Sequence, residues 1–371
     1  MMIQSPWRYD FVGSFLRPDS LKQARAAYGA GKLDAAGLKA AEDEAIRHLV
    51  QQQKDAGYRL LTDGEFRRAT WHLDFMWGFR GIDHRPTQTG LPFHGEQAMI
   101  DDTYLVDRLG YDGNHPFVDH FRFVHDLTDS RTVAKLTIPA PAQFLEQLTM
   151  PFAAENTRKF YPDLRDVPND LVKCYQGFIR DVYAAGCRNL QLDDCSWGMV
   201  VDQRATLFFG VDEAGLNGVM EQLLDVNNRA MEGAPEDMVI TTHVCRGNFH
   251  STYATSGGYE KVAKFLFRRE NVHAFFLEFD DERSGGFEPL RAVPSDKLVV
   301  LGLVTTKQAK LEDKAHIRAR IMEASAYVPL DRLCLSPQCG FASCEIGNLL
   351  TEEDQWAKLK LVKEVAEEVW G

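Results

Sequence analysis

The sequence lacks any stretch approaching the ~20 consecutive apolar residues that a membrane-spanning helix needs. Its opening residues, Met1-Met2-Ile3-Gln4-Ser5-Pro6-Trp7, lack the basic and apolar blocks of a secretory leader. Basic charge is in deficit: 42 Lys and Arg stand against 54 Asp and Glu, a formal net charge of -12. That deficit argues against a nucleic-acid partner, whose phosphates demand a basic face. No disulfide framework is visible, because 7 cysteines are an odd number dispersed over 371 residues. No Gly-x-Gly-x-x-Gly run follows a strand pattern, which disfavours an open dinucleotide-binding sheet. No repeat, low-complexity tract or Pro/Ser-rich linker divides the chain. Together these absences predict one cytoplasmic domain spanning residues 1–371, with reduced thiols, no nucleic-acid or membrane partner, and small-molecule substrates.

What is present is βα alternation. Eight short apolar runs read as strands: Phe11–Gly13, Arg59–Thr62, Val133–Ile138, Asn189–Leu192, Met238–Thr242, His273–Leu277, Leu298–Val304 and Leu333–Ser336. Most are continuously apolar, as strands covered on both faces should be. Segments of helical period lie between them: Leu33–Ala56, Asn169–Ala185, Val211–Met231, Tyr259–Arg269 and Lys314–Ala326. Asp34, Ser256 and Asp313 are expected N-caps, Ala185-Gly186 is an expected stop, and Glu352–Trp370 is an expected closing amphipathic helix. The pattern predicts an α/β fold, a (β/α)8 TIM barrel. Residues from about 75 to 130 are too many for a simple βα connection and read as an insertion after the second strand, over the barrel mouth.

In such barrels, reactive side chains follow the strand C-termini. Three of the strands lead into His243, Cys245, Glu278 and Cys339, a thiol, imidazole and carboxylate set suited to zinc. A lone His-x-Cys pair would read as a core histidine beside an inert thiol. Glu278 and Cys339 at equivalent strand ends reverse that reading. The remaining thiols, Cys174, Cys187, Cys195, Cys334 and Cys344, are expected to be small buried apolar groups. Glu65 and Asp193 also sit at strand ends, and two carboxylates around one pocket can hold an ammonium group. The Gly13-Ser14 backbone could hold a matching carboxylate. The combination describes an amino-acid substrate, whereas Asp63 and Asp194 could equally be helix caps.

These residues resemble the catalytic, C-terminal half of cobalamin-independent methionine synthase. The resemblance rests on Val12-Gly13-Ser14-Phe15, Asp63-Gly64-Glu65-Phe66-Arg67-Arg68, Leu190-Gln191-Leu192-Asp193-Asp194, His243-Val244-Cys245, Glu278 and Ser336-Pro337-Gln338-Cys339-Gly340. It implies a (β/α)8 barrel with zinc on His243, Cys245, Glu278 and Cys339. It further implies homocysteine on Ser14, Glu65 and Asp193, and a zinc-activated thiol that takes a methyl group.

The chain departs from that family in two places. It has no room for the second, N-terminal barrel of full-length synthases, nor a counterpart of their folate-contacting Ser-Arg-Cys segment. The chain is most similar to the short single-barrel relatives of bacteria and archaea. After the seventh strand it carries Gly302-Leu303-Val304-Thr305-Thr306-Lys307 where the synthases carry Asp-x-His-Ser, so Lys307 or Thr306 stands near the expected proton donor. The methyl donor is left open between 5-methyltetrahydrofolate and another carrier, including an accessory donor protein. Arg17, Arg67 and Arg68 are anion-binding candidates or structural ion pairs. Trp71, Trp77 and Phe79 are donor-pocket candidates that read better as packing under the insertion. The alternative is a zinc-thiol alkyltransferase resembling epoxyalkane:coenzyme M transferase, and a third reading is a barrel with a closed structural zinc.

Overall fold

The computed structural model describes residues 4–371, which form an α/β fold around parallel strands. In chain order these are β1 (Leu60–Leu61), β2 (Arg80–Arg85), β3 (Leu91–Phe93), β4 (Glu96–Ala98), β5 (Asp102–Gly110), β6 (Val133–Ala134), β7 (Leu136–Pro139), β8 (Asn189–Asp194), β9 (Val239–Val244), β10 (Ala274–Glu278), β11 (Leu298–Val304) and β12 (Leu333–Pro337). Strands β7 to β12 make a six-stranded parallel sheet in sequential order, with helices in the connections. That order results when each crossover returns the chain beside the strand it left. At one edge, β6 runs into β7 across Lys135 and pairs in parallel with β1. At the other, the Asp10 N–H donates to the Leu335 carbonyl at 3.0 Å and the Leu335 N–H to the Arg8 carbonyl at 3.0 Å, so residues 8–10 lie along β12.

The strands are covered on both faces, and side-chain alternation assigns the faces. Phe275, Leu277, Val299, Leu301, Leu333 and Leu335 join the large core that includes Ile317, Leu359 and Val362 of the helices. Phe276, Val300 and Cys334, their alternates, form a separate small cluster. On that second face Lys135 pairs with Asp10 at 2.9 Å, and its ammonium lies 5.0 Å from the Phe276 ring centroid.

The expected strand at Phe11–Gly13 does not form a regular ladder; an isolated bridge between Tyr9 and Leu335 takes its place. The reason is chemical. The carbonyls of Phe11, Val12 and Gly13 are taken by side chains, from Lys135, Gln191 and Thr62. Strand Arg59–Thr62 shortens to Leu60–Leu61 because the Thr62 N–H donates to the Gln53 side chain at 3.0 Å. Helix Tyr259–Arg269 shrinks to Leu266–Arg269, since Tyr259 is pinned between the Arg246 guanidinium, 4.5 Å from its ring centroid, and the Glu278 carbonyl. Helix Val211–Met231 begins only at Leu216, whereas Glu352–Trp370 forms over the expected residues. Asp34 and Asp313 cap their helices as expected; Ser256 caps none, and its N–H donates to Asp202.

The 75–130 segment contains two antiparallel pairs, β2 with β5 and β3 with β4, and a helix at Pro116–His125. Among the described residues, no helix is long and apolar enough to cross a membrane.

Candidate metal centre

Strand geometry brings the four predicted ligands together. His243 is on β9 and Cys245 is one residue past its end, where its N–H still donates to the Asp194 carbonyl at 3.0 Å, so the two side chains face the same side. Glu278 ends the neighbouring β10, two residues beyond Phe276, which pairs with His243. Cys339 lies two residues past β12. One donor atom from each lies within 4.8 Å of the others, and all four residues are buried.

The Cys245 and Cys339 sulfurs are 3.7 Å apart. Two ~2.3 Å zinc–sulfur bonds at a tetrahedral angle span ~3.8 Å. Among the described residues, both His243 ring nitrogens and Glu278 Oε2 are buried without a hydrogen-bond partner. Each orphan costs ~1–3 kcal/mol if nothing meets it, and one cation would meet Glu278 Oε2 together with one of the two His243 nitrogens. Backbone groups orient the set: the Arg246 N–H donates to Glu278 Oε1 at 2.8 Å and the Gly247 N–H to Cys245 Sγ at 3.3 Å. Hydrogen bonding between the two thiols and burial hold the Cys339 thiol well above the usual range, so a thiolate there needs a positive partner. Two thiols, an imidazole and a carboxylate are consistent with a zinc site.

The cluster opens on a cavity of about 390 Å³, whose lining includes His243, Cys245, Cys339, Ser14, Glu65 and Asp193. Glu278 lies behind this wall, fully buried. The β8–β9 register sets Asp193 beside His243. Glu65 follows Gly64 in a turn where both adopt left-handed backbone, with φ 64° at Gly64 and φ 62° at Glu65. Left-handed backbone is uncommon for a residue with a side chain and is a form of strain often found at functional sites. Asp63 holds this turn by accepting the Glu65 N–H at 2.8 Å.

Glu65 Oε1 accepts from the Thr137 hydroxyl at 3.0 Å and pairs with Arg68 at 3.4 Å, while Oε2 is buried without a partner among the described residues. Burial, reinforced by the Asp193 charge and opposed by Arg68, raises the Glu65 carboxyl to about 7. Burial likewise raises Asp193 to about 7 against a 2.7 Å hydrogen bond from Gln191. Ser14 packs so closely on the Cys339 loop that a Cβ at Gly340 would lie 1.9 Å from its hydroxyl. Position 340 must therefore be glycine for the two segments to meet.

The rest of the wall is largely apolar. Leu91, Pro92 and Phe93 come from the 75–130 segment, Trp71 precedes it, and the exposed Phe152 and Leu207 also contribute. Cys195 and Cys344 depart from the buried-thiol expectation: both are only partly buried and line the cavity. Helix Pro141–Thr149 adds Gln143, Glu146 and Gln147. Sequence reasoning missed this polar face, although its i, i+3, i+4 spacing after a strand end was a readable signal.

Arg17, Arg67 and Arg68 take the structural role. Arg17 donates to the carbonyls of Phe15, Ala342, Glu65 and Arg68; Arg67 pairs with Glu42 and Asp43; Arg68 pairs with Glu65. Trp77 and Phe79 pack under the insertion, Trp77 bonding Thr103 and stacking on His84. Lys307 is outside the cavity lining among the described residues; its ammonium donates to Asn248, a lining residue, at 3.3 Å.

The family described as the catalytic domain of cobalamin-independent synthase matches residues 164–368, a span holding the four-donor cluster and Asp193. This chain belongs to that family. It is 41% identical over 371 residues to the uncharacterized protein YxjH of Bacillus subtilis, covering 99% of this chain and 96% of YxjH. A crystal structure from Listeria monocytogenes, provisionally named a vitamin-B12-independent methionine synthase, shares 34% identity, a TM-score of 0.79 and the full length of both chains. The methionine synthase of Saccharolobus solfataricus is 23% identical over 89% of this chain and 86% of its own length. The α/β fold is shared with a Shewanella B12-independent methionine synthase at 18% identity, with a TM-score of 0.70 over 97% of this chain and 96% of that one.

Proposed function

We propose that this chain is a zinc-dependent methyltransferase that moves a methyl group to the thiol of homocysteine, giving methionine. One observation carries the reading: a single cavity is lined by residues of the four-donor cluster and also by two buried carboxylates, Glu65 and Asp193, the second beside His243. His243, Cys245, Glu278 and Cys339 would hold zinc, which would supply the Lewis acidity that makes a thiol nucleophilic at neutral pH. Glu65 and Asp193 hold the substrate ammonium by charge-assisted hydrogen bonds. Ser14, against the Cys339 loop, takes the carboxylate end. The apolar wall keeps water from the thiol and strengthens both interactions.

The reading places this chemistry at the mouth of a closed (β/α)8 barrel in a single domain. Sequential pairing from β7 to β12, the β1–β6 pair and the hydrogen bonds between residues 8–10 and β12 support closure. Residues 75–130 are the insertion, covering the mouth through Leu91, Pro92 and Phe93. Lys307 acts on the site through Asn248.

The test is to incubate zinc-loaded protein and homocysteine with 5-methyltetrahydrofolate, its polyglutamate, methylcobalamin or S-methyl sulfonium compounds in parallel. Methionine from at least one donor is expected, and none from any would overturn the reading. Coenzyme M in place of homocysteine addresses the related alkyltransferase. Its sulfonate asks for cations where the cavity offers Glu65 and Asp193, so no turnover is expected.

A further inference from the structure

We propose that Glu146 is the acid that gives a proton to the group leaving the methyl donor. The proposal rests on the methyltransferase reading and assigns a residue to the one role that reading leaves unfilled. Glu146 lies on the helix that follows β7, on the face that also turns Gln143, Gln147 and Met150 to the cavity. It is 3% exposed, and among the described residues neither carboxyl oxygen has a hydrogen-bond partner. An ionised carboxylate is not left in that condition, because a buried charge needs a counter-charge or donors. The alternative is the neutral acid, which carries one O–H to donate.

Its surroundings agree. Burial, and secondarily the Asp194 charge, hold Glu146 well above the usual carboxylate range. The Asp194 charge acts in the same direction as burial and adds to it. On the same face Gln143 accepts the Cys195 N–H at 3.2 Å, and the Cys195 thiol faces Cys245. Glu146 thus shares one cavity with His243, Cys245 and Cys339 while bonding none of the four donors. Other candidates fail. Lys307 is engaged by Asn248, and His72, buried in the cavity lining, is lowered to about 3 by burial and has no acidic proton to give.

The step balances without an oxidant or reductant. A sulfur electron pair forms the S–CH₃ bond, and the bond from CH₃ to the carrier atom breaks with its pair left on the carrier. That atom takes the Glu146 proton, and the thiol's own proton, released to solvent, is matched by one that returns to Glu146. An N-methyl donor needs this proton, because an amine nitrogen is a poor leaving group as an anion. A methyl sulfonium does not, since it departs as a neutral thioether.

The test is Glu146→Gln, which keeps shape and removes the acid, with folding checked by its melting temperature. With 5-methyltetrahydrofolate we expect kcat to fall ~10²–10⁴-fold with KM little changed. The loss should be at least about tenfold smaller with a sulfonium donor, and Glu146→Asp should recover part of the rate. Independently of turnover, the infrared difference between wild type and Glu146→Gln at pH 7 should show a protonated carboxyl band in wild type. Equal kcat, a change confined to KM, turnover only with donors that need no proton, or absence of that band would each overturn the proposal. A wild-type enzyme inactive with every donor would instead sink the methyltransferase reading beneath it.

Discussion

Replacing Cys339 by alanine removes one of two sulfurs that stand 3.7 Å apart in the four-donor cluster. Protein zinc sites with four donors bind with ~10–16 kcal/mol at neutral pH. An even division assigns one thiolate ~2.5–4 kcal/mol, or ~10²–10³-fold in Kd. Cys339 is buried beside the cavity, so a water that fills its place restores only part of that. The assay is zinc stoichiometry by mass spectrometry, followed by competition with a chelator of known affinity. Cys174→Ala is the control, because that thiol is buried elsewhere in the hydrophobic core and is outside the cluster. Wild-type protein and the control should carry about one zinc per chain, while Cys339→Ala loses it to chelator concentrations ~10²–10³ times lower. Retention at wild-type affinity, or equal loss from Cys174→Ala, would refute the ligand assignment.

Glu65 titrates at about 7 in the free site, so it is a carboxylate above that pH and neutral below it. KM for homocysteine in the wild type should rise as pH falls below 7. Glu65→Gln should raise KM ~10–100-fold at pH 8, the worth of a charged hydrogen bond, and flatten the profile; a wild-type profile in the variant would count against the ammonium role. Glu270 is raised to about 8 by burial and by Asp194. Its unfolded-state value is ~4.3, so the folded state keeps a proton that the unfolded state releases. Wild-type stability should therefore fall by up to ~1.4 kcal/mol per pH unit as pH rises from about 5 to 8. Denaturant titrations of Glu270→Gln should show a shallower fall, and parallel pH curves would refute the assignment. Thr351 and Asp354 form a reciprocal cap on helix Glu352–Trp370; Thr351→Ala should cost ~1 kcal/mol by the same measurement, and no change would show the cap to be idle.

Elements with strong local signals were legible from sequence. Strand Leu298–Val304 and helix Glu352–Trp370 have the predicted boundaries because a continuous apolar run and a helical stripe carry their own period. Phe11–Gly13 did not form a regular strand, because side chains from Lys135, Gln191 and Thr62, remote in sequence, take its carbonyls. Cys195 and Cys344 were read as inert core thiols for the same reason: composition says nothing of which wall a thiol faces. Taken alone, Glu146 carries no signal in the sequence, because a glutamate in a helix is ordinarily a solvated charge and only the tertiary structure buries it at the cavity wall.

By itself the sequence determined the βα order, the caps at Asp34 and Asp313, the donor types at His243, Cys245, Glu278 and Cys339, and the acids at Glu65 and Asp193. These depend on residue identity and near neighbours. Tertiary structure alone decided which of them meet. The β8–β9–β10 register sets Asp193 beside His243 and brings Glu278 to the cluster, and the Ser14–Gly340 contact draws the first segment to the last. It also decided protonation, because the cost of a charge depends on what surrounds it and not on where it falls in the chain.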